Sequence, residues 1–131
     1  MTKLKQIKGL PASLEFLPND REFLKSSPVK KLRAARPSDK ERIFYLFTDV
    51  LIYCTINGIF KGFFHCDSLL LRDIPDHPTQ FQLTNCKQNV LRQDEGTKYT
   101  ITAESPVEKQ DWLQQFHIAY DFFSVIALLG H

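Results

Sequence analysis

Short apolar runs alternate with polar breaks through most of the chain, and the period changes only near the end. Leu24 to Ala35 predicts a first extended segment, with Pro28 near its start, where a missing N–H is tolerated. Pro37, Ser38 and Asp39 then supply a turn. The run from Arg42 to Phe47 is β-branched and aromatic and predicts a strand. Thr48 and Asp49 form a tight turn, Val50 to Thr55 returns as a third strand, and Asn57-Gly58 is a strong turn signal. Phe63 to Leu71 predicts a fourth strand, closed by Asp73, Pro75, Asp76 and Pro78. Gln80 to Leu83 alternates as a fifth, Asn89 to Gln93 is a short sixth, and Lys98 to Thr102 a seventh. Strands at this spacing imply a sandwich or barrel, because closure hides their edges.

At Ser105 the pattern turns helical. Ser105-Pro-Val-Glu108 is a capping box with proline at the first helical position. Trp112, Phe116, Tyr120, Phe123 and Ala127 then fall on one helical face, and Gly130 supplies a stop. The Trp112 face is expected to close one mouth of the barrel. A second stripe, Ile118, Phe122, Val125 and Leu129, is left without a partner. The expected layout is a lead-in over 1–22 and a domain over 23–129, with its helix at about 106–129. The lead-in is either a connector or a strap across the domain, and Leu14, Phe16 and Leu17 favour some packing.

Composition adds two points. The 131 residues suit a single domain, and eleven Phe promise an aromatic core. The net charge of +2 conceals an asymmetry: residues 1–42 hold 11 Lys/Arg against 5 Asp/Glu, and the remainder holds 6 against 10. A basic end of this kind presents a surface to an anion. Cys54, Cys66 and Cys86 have no metal-ligand or disulfide spacing, which fits a reducing, cytoplasmic setting with no metal and no cofactor. No signal peptide or bilayer-spanning run is legible.

Seven strands followed by one Trp-bearing helix resemble the pleckstrin-homology (PH) fold over about residues 21–125. The run from Arg42 to Tyr53 is similar to the second and third PH strands, and Ala103 to Trp112 to the approach and start of the PH helix. Arg21-Glu-Phe-Leu-Lys25 resembles PH domains that follow the Dbl-homology (DH) catalytic domain in Rho-family guanine nucleotide exchange factors. The resemblance implies a mainly β fold, a seven-stranded antiparallel barrel or sandwich capped by one C-terminal α-helix.

It also implies a site. PH domains that bind phosphoinositides carry a Lys on strand one and a [KR]-x-R on strand two, and Lys31 with Lys40-x-Arg42 stand at those positions. Residues two apart on a strand share a face, so Lys40 and Arg42 can converge on one ligand. A guanidinium can grip a phosphate bidentately while lysines act as point charges. Tyr53 matches a strand-three tyrosine that hydrogen-bonds phosphate in some of these domains. Lys30, Arg33, Arg36 and Lys61 would face an anionic leaflet, each contributing on the order of 1 kcal/mol near the surface. One departure is that Phe63-Phe64-His65 offers no arginine for a third phosphate contact. In the competing structural reading, Arg42 merely pairs with Asp39 or Glu41.

His65, Asp67 and Ser68 are close in sequence, with His65 and Asp67 expected on one strand face, but neighbours on a strand do not make a catalytic triad. The glycines lack P-loop spacing, and the aromatics fall at core spacing rather than on a nucleic-acid stacking platform. The expectation is therefore a non-catalytic PH domain binding phosphoinositide or anionic lipid at the inner membrane surface. Its expected partners are a DH domain and a Rho-family GTPase, with no nucleic acid. An alternative from another class is a protein-interaction or autoinhibitory module with little lipid binding. A third is peptide binding between strand five and the helix, as in phosphotyrosine-binding domains.

Overall fold

The computed structural model describes residues 7–10, 22–33, 36–85 and 97–129. Its strands are β1 (Phe23–Arg33), β2 (Arg36–Phe47), β3 (Val50–Cys54), β4 (Phe60–His65), β5 (Leu69–Asp73), β6 (Gln80–Asn85) and β7 (Thr97–Thr102). A single helix turn, Cys66–Ser68, joins β4 to β5, and the long helix α1 spans Pro106–Leu129. The described strands form one antiparallel sheet ordered β4-β3-β2-β1-β7-β6-β5. The chain has the expected mainly β, PH-like fold.

Three elements differ from the expectation. Pro37, Ser38 and Asp39 are not a turn: they belong to β2, and Arg33 pairs with Arg36. The β2–β3 ladder starts only at Ile43↔Cys54, and on the β1 side Pro37, Ser38 and Asp39 fall in a register irregularity between the pairs Arg33↔Arg36 and Lys31↔Lys40, a place that accepts proline. The expected fourth strand, Phe63 to Leu71, is two strands broken at Cys66–Ser68, where the Cys66 N–H donates to the Asp49 carbonyl at 2.9 Å. That break also separates His65, at the end of β4, from Asp67 in the helical turn, so the two share no strand face. The expected sixth strand, Asn89 to Gln93, lies outside the described residues.

β2 explains how one sheet supports two cores. Its centre is apolar at every position, the pattern of a strand covered on both faces. Phe44 and Leu46 enter a cluster with Leu51, Phe64, Phe81, Leu83, Ile101, Trp112 and Phe116. Tyr45 and Phe47 enter a second, with Val50, Ile52 and Cys54. Ile7 is buried in that second cluster, and Leu10 packs against it. The lead-in acts here as a strap: Lys8 forms a parallel bridge to Ile59, with Lys8 N–H donating to Gly58 O and Phe60 N–H to Lys8 O.

The helix begins as its sequence requires. Ser105 Oγ accepts the Glu108 N–H at 3.1 Å, while the Glu108 carboxylate turns to Lys25 instead of closing the box. Lys25 also meets Asp111 at 2.7 Å and lies over the Trp112 ring. Trp112 is fully buried, edge-on to Phe44, and its indole N–H donates to Ser27 Oγ at 3.0 Å. Lys109, 2% exposed, pairs with Asp73 and donates to the carbonyls of Ile74 and His77, tying the β5–β6 loop to the helix. Of the second helix stripe, Ile118 is exposed, and Phe122, Val125 and Leu129 have side chains outside the described residues.

Candidate functional site

Register determines which basic side chains can meet. Lys31 stands directly across from Lys40 on one side and Ile101 on the other, and Arg42 stands across from buried Val29. Directly opposed residues of an antiparallel pair share a face. Lys31, Lys40 and Arg42 therefore project from the face of the β1–β2 hairpin that carries Val29, Phe44 and Trp112's core cluster. They sit beyond its packed part, at the end opposite the Lys25 contact with α1. Spacing alone puts Lys40 and Arg42 on one face, and the pairing of Lys31 with Lys40 adds the third cation to it.

Tyr53 joins it through Lys31. The Lys31 ammonium lies 3.6 Å from the Tyr53 ring centroid, 4.7 Å from that of Tyr99 and 5.9 Å from that of Phe64. Three rings thus face one cation, which each attracts through its negative π-face. Tyr53 stacks on Phe64 at 5.1 Å, and Phe64 tilts against Tyr99 at 5.4 Å. Gly62 makes room for this: a Cβ there would overlap the Tyr53 ring and hydroxyl. Sequence reasoning missed Tyr99, Phe64 and Gly62. Alternation marks both aromatics as inward-facing, but the contact with Lys31 arises only where β1 meets β7 and β3 lies nearby.

Arg42 is held differently. Its Nη1 donates to the Glu41 carbonyl at 2.9 Å, not to the Glu41 carboxylate, and its Nε is buried with no hydrogen-bond partner among the described residues. An unsatisfied buried donor is costly, so an anion supplying an acceptor would be favoured there. Lys40, Lys30 and Lys61 are exposed. Arg33 and Arg36 are paired in backbone register, but their side chains lie outside the described residues, as does that of Asp39.

A cavity of about 460 Å³ lies elsewhere, lined by Pro28, Val29, Lys30, Glu41, Ile56, Thr102, Ala103 and Glu104. Of the expected site residues only Lys30 lines it, and two glutamates make it unsuited to a polyanion. Among the described residues no group of His, Cys, Asp and Glu could hold a metal, and no helix is long and apolar enough to cross a membrane.

Comparison with known proteins places this geometry. A family model for the SOS1/NGEF-like PH domain matches residues 17–119. The fold is similar to that of an activated truncation of Vav1 in its apo form, with a TM-score of 0.73 and 20% identity over 90% of this chain and 30% of that one. Vav1 inhibited by an allosteric inhibitor gives 0.72 and 21% identity, over 91% and 21%. The DH/PH domains of PDZ-RhoGEF in complex with activated RhoA give 0.63 and 14%, over 85% and 33%. This chain spans a third or less of each of those chains. No curated protein matches the sequence.

Proposed function

The chain belongs to the SOS1/NGEF-like PH domain family, and on that premise we propose that it is a non-catalytic module that binds phosphoinositide headgroups and regulates a Rho-family exchange factor. One observation carries the reading: Lys31, Lys40 and Arg42 share a face near the turn end of the β1–β2 hairpin. Like charges placed directly opposite on a ladder repel, and an anion between Lys31 and Lys40 reverses the sign of that interaction. An inositol ring with adjacent phosphates supplies such an anion and an acceptor for Arg42 Nε. The Tyr53 and Tyr99 rings hold the Lys31 ammonium against them, and the Tyr53 hydroxyl lies over Gly62.

Lys30 and Lys61, with Arg33 and Arg36, add attraction to the anionic inner leaflet. Peripheral binding there would place a neighbouring DH domain beside its membrane-bound Rho-family GTPase. Two of the similar structures are DH/PH fragments of PDZ-RhoGEF in complex with RhoA, which supports that context.

Liposome sedimentation with and without phosphoinositide tests the site. Lys40→Ala/Arg42→Ala is expected to weaken binding roughly tenfold or more, since each charge-assisted hydrogen bond contributes about 1.5–3 kcal/mol. Wild-type affinity in the double variant would place the lipid elsewhere. Absence of binding by the wild type at low salt would favour the protein-interaction reading, for which exposed Ile118 is a contact residue.

A further inference from the structure

A lysine side chain has a flexible four-carbon stem, and a ligand that recruits one must first immobilise it, which lowers affinity. Lys31 is immobilised in advance. Its ammonium lies 3.6 Å from the Tyr53 ring centroid, 4.7 Å from that of Tyr99 and 5.9 Å from that of Phe64. All three fall within the distance of about 6 Å at which a ring face attracts a cation. The rings come from β3, β7 and β4, so backbone pairing places them. Tyr99 stands two residues along β7 from Ile101, the ladder partner of Lys31, and so projects from the same face. Phe64 stacks on Tyr53 and tilts against Tyr99, which braces both.

The tip of Tyr53 points away from the other two cations. β3 lies between β2 and β4 in the sheet, and Tyr53 stands across the β3–β4 ladder from Gly62. A Cβ on Gly62 would overlap the Tyr53 hydroxyl oxygen and the ring carbon that bears it. The hydroxyl therefore rests over β4, whereas Lys40 and Arg42 stand on β2, on the other side of β3. The resemblance to phosphoinositide-binding domains implied a hydroxyl bonded to phosphate. The geometry gives Tyr53 a different task, with its face on Lys31 and its tip on Gly62.

We propose that Tyr53 and Tyr99 are positioning residues of the headgroup site, which act through their ring faces by holding the Lys31 ammonium in place before the anion arrives, and that the Tyr53 hydroxyl is not a phosphate donor. The inference rests on the headgroup reading and adds to it a contribution from preorganisation. An ammonium carries three N–H donors, so it can lie against rings on one side and donate to a phosphate on another.

Calorimetric titration with soluble inositol hexakisphosphate tests it. Tyr53→Phe and Tyr99→Phe, which keep the rings, are expected to bind as wild type does. Tyr53→Leu and Tyr99→Leu are expected to bind roughly two- to tenfold more weakly. In a Lys31→Met background the same leucine substitutions should change nothing further. The order of affinities is expected to be the same on phosphatidylcholine vesicles containing phosphoinositide, and a different order there overturns the inference. Equal weakening by Tyr53→Phe and Tyr53→Leu overturns it by assigning Tyr53 to the phosphate. Weakening that persists without Lys31 overturns it too, because the rings would then act on the fold and not on the cation. Leucine variants that match wild type, while Lys40→Ala/Arg42→Ala loses binding, overturn the positioning role and leave the headgroup site standing. Wild type that binds neither inositol hexakisphosphate nor the vesicles overturns both. Wild type labelled with carbon-13 lysine gives a readout that needs no aromatic variant. One lysine ε-methylene signal should lie upfield of the rest, vanish in Lys31→Met, and stay upfield at saturating inositol hexakisphosphate. Absence of that signal, or its return to the position of the other lysines in the complex, refutes the positioning role.

Discussion

Lys31 illustrates how a half-buried cation can be held by aromatic rings at the rim of a core. Its ammonium rests against Tyr53 and Tyr99. The arrangement depends on Gly62, whose hydrogen leaves the space that the Tyr53 ring occupies. Gly62→Ala is expected to displace that ring and lower stability by about 1–3 kcal/mol, the usual range for an extra methyl in a packed site. In a Tyr53→Ala background most of that cost should vanish, and denaturant unfolding of the four proteins in the cycle measures the difference. Costs that simply add would show that Gly62 and Tyr53 do not share this space. Their pairing is not conspicuous in sequence, because a glycine within a strand signals close approach without saying to what.

At the scale of elements, β2 and α1 carry the most structure per residue. β2 supplies alternate side chains to two cores, which its unbroken apolar run permits and a one-faced strand could not. The start of α1 was legible because capping is local: Ser105 satisfies a backbone donor three residues on, whatever surrounds it. Ser105→Ala should cost about 1 kcal/mol in chemical denaturation, with little change in spectroscopic helix content. A cost near zero would mean that another group takes over the Glu108 N–H. The other half of the box was not legible. The Glu108 carboxylate goes to Lys25, 83 residues away in the chain, and a long-range cation outcompetes a local amide only once the fold has brought it there. The β1–β2 turn was misplaced for a similar reason. Pro37, Ser38 and Asp39 have turn propensity, but Arg36 and Lys40 on either side pair with β1 and keep them within β2 as a register irregularity.

For the molecule as a whole, buried and paired ionisable groups set how stability follows pH. Burial raises the Cys54 thiol from 9.0 to about 11, and burial followed by the nearby Cys54 raises Tyr45. At Lys25 burial pulls downward, but hydrogen bonds and charge from Asp111 and Glu108 outweigh it, so its pKa is raised. Asp111 is lowered chiefly by the hydrogen bond from Lys25, against an opposing contribution from burial. Groups raised on folding contribute fully below their unfolded pKa and lose that contribution as pH rises through the folded one. Asp111 has the opposite sign, and its contribution is lost as pH falls through its lowered value. Stability should thus be level through neutrality and fall at both ends. Between pH 9.0 and about 11 the Cys54 contribution declines by about 1.4 kcal/mol per unit, and Cys54→Ala should flatten that limb in denaturant titrations at successive pH values. An alkaline limb unchanged by the substitution would assign it to Tyr45 and Lys25 instead.

What the sequence determined by itself is whatever rests on neighbours in the chain: strand and helix periods, the Asn57-Gly58 turn, the Ser105 cap and the i, i+2 placement of Lys40 and Arg42 on one face. These follow from backbone geometry and need no distant partner. Lys31 and Tyr53 were named by resemblance, but their contact, and the contributions of Gly62, Phe64 and Tyr99, were decided by β1 pairing with β2 on one edge and β7 on the other. Tertiary structure also decided that Lys8 crosses to Gly58 and Phe60, which turns a weakly patterned lead-in into a strap. Such contacts form between segments tens of residues apart, where local propensity exerts no preference and only register and packing select the partner.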